Sequence, residues 1–119
     1  MSVQKKIGNS TEIKACRLLQ KMGYWCHLFE YNANGQPCDI VALKGNVSYL
    51  IDVKHSDKDT FPFSRIEPNQ ITCFEYANSC GVVNTGFMIY YNEEFYWLPY
   101  EETKNGKSVK ITELWKVNL

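Results

Sequence analysis

Residues 38–54 read Cys38-Asp39-Ile40-Val41-Ala42-Leu43-Lys44, Gly45-Asn46, Val47-Ser48-Tyr49-Leu50-Ile51-Asp52-Val53-Lys54. Two runs rich in Val, Ile and Leu flank a Gly-Asn pair, the signal of a two-residue hairpin with a type II′ or I′ turn. With Gly45 and Asn46 as the loop, Lys44 faces Val47, Leu43 faces Ser48, Val41 faces Leu50 and Asp39 faces Asp52. Side chains alternate along a strand, so the last three pairs share one face, and Lys54, two residues beyond Asp52, joins them. The opposite face carries Ile40, Ala42, Tyr49, Ile51 and Val53. Two aspartates are thus predicted to meet at one end of an apolar hairpin.

Opposed residues in such a ladder bring their Cβ atoms to about 4.5–5.5 Å, where like charges destabilise. At an effective dielectric near 20, two carboxylates ~4 Å apart repel by roughly 4 kcal/mol. Either one carboxyl keeps a proton or a cation sits between them. Hard oxygen ligands favour Mg²⁺, Mn²⁺ or Ca²⁺. Singly, each residue has a bland explanation. Asp39 can cap a loop, and Asp52 with Lys54 can be a solvated ion pair. Together, within Val, Ile and Leu, they point to function.

Outward from the hairpin, the chain predicts α-β-β-β-α-β-β, an α/β protein with a mixed sheet and packed helices. A helix is expected over about 10–22, capped by Asn9 or Ser10 and ended by Gly23. Residues 24–31 read as a strand and residues 32–37 as a loop. Residues 55–67 read as an irregular loop. A second helix is expected over about 68–80, with Pro68 in its first turn and Gly81 after its end. Strands follow over 82–91 and 94–98, joined by Asn92-Glu93. In the tail, 109–111 suggests a strand and 112–116 a helical turn.

The chain has 119 residues with 45% hydrophobic and 14% aromatic content, which predicts one folded domain over 1–119. The five cysteines form no CxxC pair, and the first residues, Met1 to Lys6, lack the apolar stretch of a signal peptide. Both features predict a cytoplasmic protein. The net charge is zero but unevenly spread: residues 1–22 hold five basic side chains against Glu12 alone. A modest basic face is therefore expected, and Lys5, Lys6, Lys14, Arg17, Lys21, Lys58 and Arg65 are candidate phosphate contacts.

Two more polar residues border apolar stripes. Glu12 shares a helix face with Ala15, Cys16 and Leu19. Gln70 opens the second helix on the side of Cys73, Phe74 and Ala77, where a buried amide needs a partner. Glu12, Asp39, Asp52, Lys54 and Gln70 would form an oxygen-rich site with one ammonium group. The chain has no Ser/His/Asp set and no Gly-rich phosphate loop. Such a site suits metal-assisted phosphodiester hydrolysis, with Lys54 stabilising the nucleophile and the charge that builds on phosphorus.

Asp39 followed by Asp52-Val53-Lys54 resembles the signature of the PD-(D/E)xK nuclease superfamily, with its restriction-endonuclease-like core. Pro37 stands one residue further from the aspartate than the motif name gives, and Asp52 stands where relatives often have Glu. Within that superfamily the chain is most similar to the RecU-type Holliday junction resolvases of Gram-positive bacteria and their phages. The likeness runs through Thr60-Phe61-Pro62-Phe63-Ser64-Arg65-Ile66, Asn69-Gln70-Ile71, Gly86-Phe87-Met88-Ile89, Phe95-Tyr96-Trp97-Leu98 and Asn105-Gly106-Lys107-Ser108. It implies an Mg²⁺-dependent (or Mn²⁺-dependent) endonuclease acting on branched DNA as a homodimer. In that reading Asp39, Asp52 and the Val53 carbonyl hold the metal, and Glu12 assists metal or water. Lys54 acts on the nucleophile and Gln70 orients the site. Other DNA nucleases of the same fold, and a catalytically silent DNA- or protein-binding relative, are the alternatives.

Overall fold

The structure, a computed structural model, describes residues 10–29 and 38–119. Helix α1 spans Ser10–Lys21. The hairpin strands are β2, Ile40–Lys44, and β3, Val47–His55, preceded by β1, Trp25–Leu28. A short strand β4, Thr60–Pro62, and a 3₁₀ turn, Phe63–Arg65, lead into α2, Pro68–Ser79. Strands β5, Asn84–Tyr91, and β6, Glu94–Pro99, follow. Two further 3₁₀ turns, Tyr100–Lys104 and Ile111–Glu113, alternate with β7, Ser108–Lys110, and β8, Trp115–Val117.

The main sheet has six strands in the order β1-β2-β3-β5-β6-β8. Only the β3–β5 pair is parallel, and α2 lies in the crossover between them, as a parallel connection requires. The hairpin register is the predicted one: Lys44 faces Val47, Leu43 faces Ser48, Val41 faces Leu50 and Ile40 faces Ile51. Gly45 has φ +59° while Asn46 keeps a negative φ, which fits a type II′ turn and not type I′. The later Asn92-Glu93 turn has positive φ at both residues, the I′ pattern.

The sheet divides two cores. Helix α1 lays Ala15 and Leu19 on Ile40, Ala42, Ile51, Met88 and Phe95, the face predicted to be apolar. On the other face, α2 lays Phe74 over Phe87, with ring centroids 5.4 Å apart, and Phe61, Ile89, Leu98, Tyr100 and Ile111 complete the cluster. Burying side chains of this size stabilises by about 1.5–3 kcal/mol each before entropy is counted.

Four expectations are corrected. The first strand, expected over 24–31, runs from Trp25 to Leu28, residues 30–31 of that expectation lying outside the described residues. The loop expected over 55–67 contains β4 and a 3₁₀ turn, because Thr60–Pro62 pairs antiparallel with Ser108–Lys110 in a separate small sheet. Asp59 fastens this corner, its carboxylate accepting bonds from the Thr112 amide and hydroxyl at 2.9 Å each. The helical turn expected over 112–116 is a 3₁₀ turn followed by β8, which hydrogen-bonds to β6 and extends the sheet. The ladder also stops short of an Asp39–Asp52 pair. The Asp39 amide donates to the Ile51 carbonyl at 3.0 Å, so Asp39 forms a bend at the strand entrance. The loop expected over 32–37 lies outside the described residues.

Gly86 sits where β5 crosses the end of β6. A Cβ there would overlap the Leu98 carbonyl oxygen and stand 3.0 Å from Pro99 Cα, both rigid backbone. Gly86→Ala is expected to lower the unfolding free energy by about 1–3 kcal/mol or more, read as a drop in the urea midpoint at unchanged slope.

Candidate active site

Strand β3 presents Leu50, Asp52 and Lys54 to the α2 side of the sheet, beside Phe87 and Ile89 of β5. Asp52 is therefore a carboxyl group inside an apolar layer. Its Oδ2 accepts a hydrogen bond from Gln70 Nε2 at 2.9 Å and lies 3.3 Å from Lys54 Nζ. The Asp52 and Lys54 side chains are only 7% and 11% exposed, so this ion pair is shielded from water and unlike a surface pair.

Gln70 is placed by the helix it starts. Glu67 is the N-cap of α2 and Pro68 its first residue. Gln70, three residues after the cap, closes a capping box: its Oε1 accepts from the Glu67 amide at 3.0 Å. That bond turns the Nε2 end of the amide toward Asp52. Sequence reading gave Gln70 an orienting role but missed Glu67. The Glu-x-x-Gln spacing across Pro68 is the signal that pointed to it.

Asp39 arrives from the bend before β2. Its Oδ2 accepts the Val53 amide at 2.7 Å, so the carboxylate reaches across the hairpin to the backbone between Asp52 and Lys54. The two carboxyl groups lie close enough that the Asp39 charge acts on Asp52. The sequence thus placed the pair together correctly, though a side-chain reach from the bend replaces the expected ladder pairing.

Burial pushes the Asp52 carboxyl up to about 8, and the Asp39 carboxylate adds to the rise. The Lys54 ammonium opposes the shift but offsets only part of it. Two thiols stand close by, Cys38 buried and Cys73 half-buried. Burial raises Cys38 to about 12, and Cys73 of α2 is raised by burial and by the Asp52 charge.

Glu12 is half-buried in the first turn of α1. Lys14, two residues on, lies 5.1 Å from the Tyr90 ring centre, and Tyr90 is the ladder partner of His55. The start of α1 therefore stands at the end of β3 that carries Asp52 and Lys54. Lys14, Arg17 and Lys21 are exposed along α1, which covers the sheet face opposite Asp52. Arg65 precedes α2 and stacks on the Phe61 ring at 5.2 Å, while Lys58 is exposed in the preceding turn. Lys5 and Lys6 lie outside the described residues.

Among the described residues, no three or more His, Cys, Asp and Glu side chains gather as a metal cluster. The donor set is two carboxylates with their backbone. That suits Mg²⁺, which proteins often hold through one or two carboxylates plus water and substrate phosphate, and does not suit a thiophilic metal. A cleft of about 470 Å³ lies on the other face, lined by Leu19, Tyr49, Ile51, Met88, Trp97 and Trp115 among others. It holds none of the groups described above and is not the chemical site. No described helix is long and apolar enough to cross a membrane.

The element order, the mixed sheet and the flanking helices define a restriction-endonuclease-like fold. Among solved structures, the chain is similar to Hjc, a Holliday junction resolvase from the archaeal hyperthermophile Archaeoglobus fulgidus. The TM-score is 0.75 at 15% sequence identity, covering 92% of this chain and 96% of that one. No family model matches the sequence, and no curated protein matches it.

Because the folded-state proton affinity of Asp52 exceeds that of an unfolded aspartate, the metal-free folded state binds the extra proton between about pH 4 and 8. Its contribution to stability is complete below that window and is lost as pH rises through it. The urea stability of metal-free protein is expected to fall from pH 5 to pH 8 more steeply than that of Asp52→Asn, by up to ~1.4 kcal/mol per pH unit. Parallel slopes in the two proteins would remove Asp52 as the cause.

Proposed function

We propose that this chain is a divalent-metal-dependent DNA endonuclease that hydrolyses phosphodiester bonds in branched DNA. In this reading it is a Holliday junction resolvase of the RecU type, a single nuclease domain over 1–119 that works as a homodimer. The observation that carries the reading is the buried Asp39–Asp52 pair, with Lys54 and Gln70 on Asp52, set in a fold shared with a solved junction resolvase.

The pair fits a divalent cation on chemical grounds. Two hard-oxygen donors interact in a weakly hydrated layer, and one has its proton affinity raised, so a proton and a cation would compete for the same place. Asp39, Asp52 and the Val53 carbonyl would hold Mg²⁺ or Mn²⁺, with Glu12 assisting from the start of α1. The bound ion supplies charge neutralisation at the phosphate and an acidified water.

The chain's own groups do the rest. Lys54 places a fixed positive charge 3.3 Å from Asp52, where it can stabilise the attacking oxygen and the negative charge growing on phosphorus. Gln70 holds Asp52 in one rotamer by a bond that survives in either protonation state, since an amide N–H donates to a carboxylate or a carboxylic acid alike. Asp39 ties its own carboxylate to the Val53 amide and so fixes the separation of the two acids. Water attacks phosphorus and gives up a proton to solvent, a P–O ester bond breaks, and the leaving oxygen takes a proton from solvent.

Lys14, Arg17, Lys21, Lys58, Arg65, Lys5 and Lys6 would contact phosphates outside the cut. With seven such contacts, affinity should fall steeply with salt, by roughly 10³-fold or more between about 50 and 200 mM. None of the five thiols is in a disulfide, consistent with work in the reducing cytoplasm of a bacterial or phage-infected cell.

The deciding assay compares a four-way junction, a flap, linear duplex and single strand, with and without Mg²⁺, at stated salt. The junction is expected to be cut fastest, and only with metal. Asp52→Asn is expected to abolish cleavage while its far-UV spectrum and cooperative unfolding persist. Undiminished cleavage by purified Asp52→Asn would sink the assignment. Millimolar Mg²⁺ or Mn²⁺ is expected to raise the melting temperature of the wild-type protein and not that of Asp52→Asn.

A further inference from the structure

Three aromatic rings stand in a row on the same sheet face as the carboxylates. In the edge strand β1, Trp25 faces Leu43 and His27 faces Val41. Phe29 continues the register, its amide donating to the Asp39 carbonyl at 2.9 Å. Leu43, Val41 and Asp39 share the face of Leu50 and Asp52, because alternate residues of paired strands point the same way. The row Phe29-His27-Trp25 therefore begins beside Asp39 and runs to the open edge of the sheet. The Trp25 and His27 planes lie within 13° of parallel, with centroids 6.4 Å apart, and Phe29 meets His27 edge to face at 4.9 Å. Phe29 packs against the core, whereas His27 is exposed and Trp25 is 61% exposed.

We propose that this row is a stacking platform for unpaired bases of the DNA strand cut at Asp39 and Asp52. The proposal rests on the nuclease reading and adds the part of the substrate that the sheet face recognises. Three features favour bases as the occupant. First, the platform is continuous with the candidate site. On the β5 side the same face is roofed by α2 through Phe74 and Gln70, and among the described residues no helix covers β2 and β1 on that face, so a strand seated at the carboxylates can run over them. Second, the near-parallel Trp25 and His27 rings stand 6.4 Å apart, about two base steps of ~3.4 Å, so one base can seat between them while Phe29 braces His27 edge-on. Third, among the described residues no acidic side chain stands in the row between Asp39 and Trp25, where it would repel phosphates. Paired bases keep their faces inside the duplex, so the platform selects nucleotides unpaired at a branch point or in a flap, and aromatic stacking accepts any base.

The test uses the full chain in EDTA, with fluorescent single-stranded, flapped and fully paired oligonucleotides at one salt concentration. Trp25→Ala is expected to weaken binding to single strand and flap by roughly 5- to 100-fold and to change duplex binding less than about twofold. Trp25→Phe is expected to restore most of the loss, and the nearly unchanged duplex binding of Trp25→Ala excludes a folding defect as its cause. Equal binding of unpaired DNA by Trp25→Ala and wild type overturns the proposal. So does failure of Trp25→Phe to rescue, or conversion of a dimer to a monomer by Trp25→Ala in sedimentation, which would assign the row to a second copy of the chain. Cleavage by wild type with Mg²⁺, run in parallel, separates the two readings. If wild type cuts no DNA, the nuclease assignment falls. If it cuts DNA while Trp25→Ala binds unpaired strands like wild type, only the platform falls.

Discussion

A carboxyl group inside an apolar layer, with a second acid against it, is the constraint around which this molecule is built. Two acids in contact and out of water repel, and each of the surrounding bonds answers that cost. Lys54 supplies the opposite charge at 3.3 Å, Gln70 supplies a donor at 2.9 Å, and the Val53 amide anchors Asp39 at 2.7 Å. These groups come from a strand end, a helix start and a strand entrance, so the site forms only when the hairpin and α2 have docked. The remaining imbalance appears as the raised proton affinity of Asp52. A protein selected for stability alone would replace such a pair with apolar residues of similar volume.

The hairpin was legible because two independent signals agree. Gly-Asn sets the loop and the alternation of apolar and polar residues sets the faces, so a register error would have moved every side chain across the sheet. The observed pairs from Lys44–Val47 to Ile40–Ile51 follow. What was not legible is the last step at Asp39. A side chain that bonds to the backbone ends a ladder, and no periodicity records that competition. The short strands β4 and β8 were missed for a related reason. Three residues give too little pattern, and each strand exists only because a distant segment, Ser108–Lys110 or β6, offers free backbone groups to pair with. The Phe29-His27-Trp25 row was visible only as an aromatic-rich strand, because its face depends on the β1–β2 register, which the local sequence leaves unset.

The two sheet faces have different duties. On the α1 side, Ala15 and Leu19 press on Ile40, Ala42 and Ile51, and this face is a packed core apart from its cleft. On the α2 side, apolar packing by Phe74, Phe87 and Phe61 stops where Asp52 and Gln70 begin. β5 is buried on both faces and takes the central position, and Gly86 lets β6 turn away close to it. The rigid middle of the sheet thus positions Asp52 from below while the helix cap positions it from above, the support that a geometrically demanding reaction needs.

The capping box shows how one residue joins local folding to chemistry. An uncapped helix start leaves backbone donors without partners. At Pro68 the chain meets that need with Glu67 and Gln70, each serving the other's backbone. A glutamine used only as a cap would leave its amide nitrogen facing solvent. Here that nitrogen is buried and bonded to Asp52, so one side chain both starts α2 and aims the carboxylate. A glutamate at the same position would satisfy the cap equally well but would bring a third negative charge to the pair. The choice of amide over acid at residue 70 therefore follows from the site, while the placement of residue 70 three positions after the cap follows from the helix.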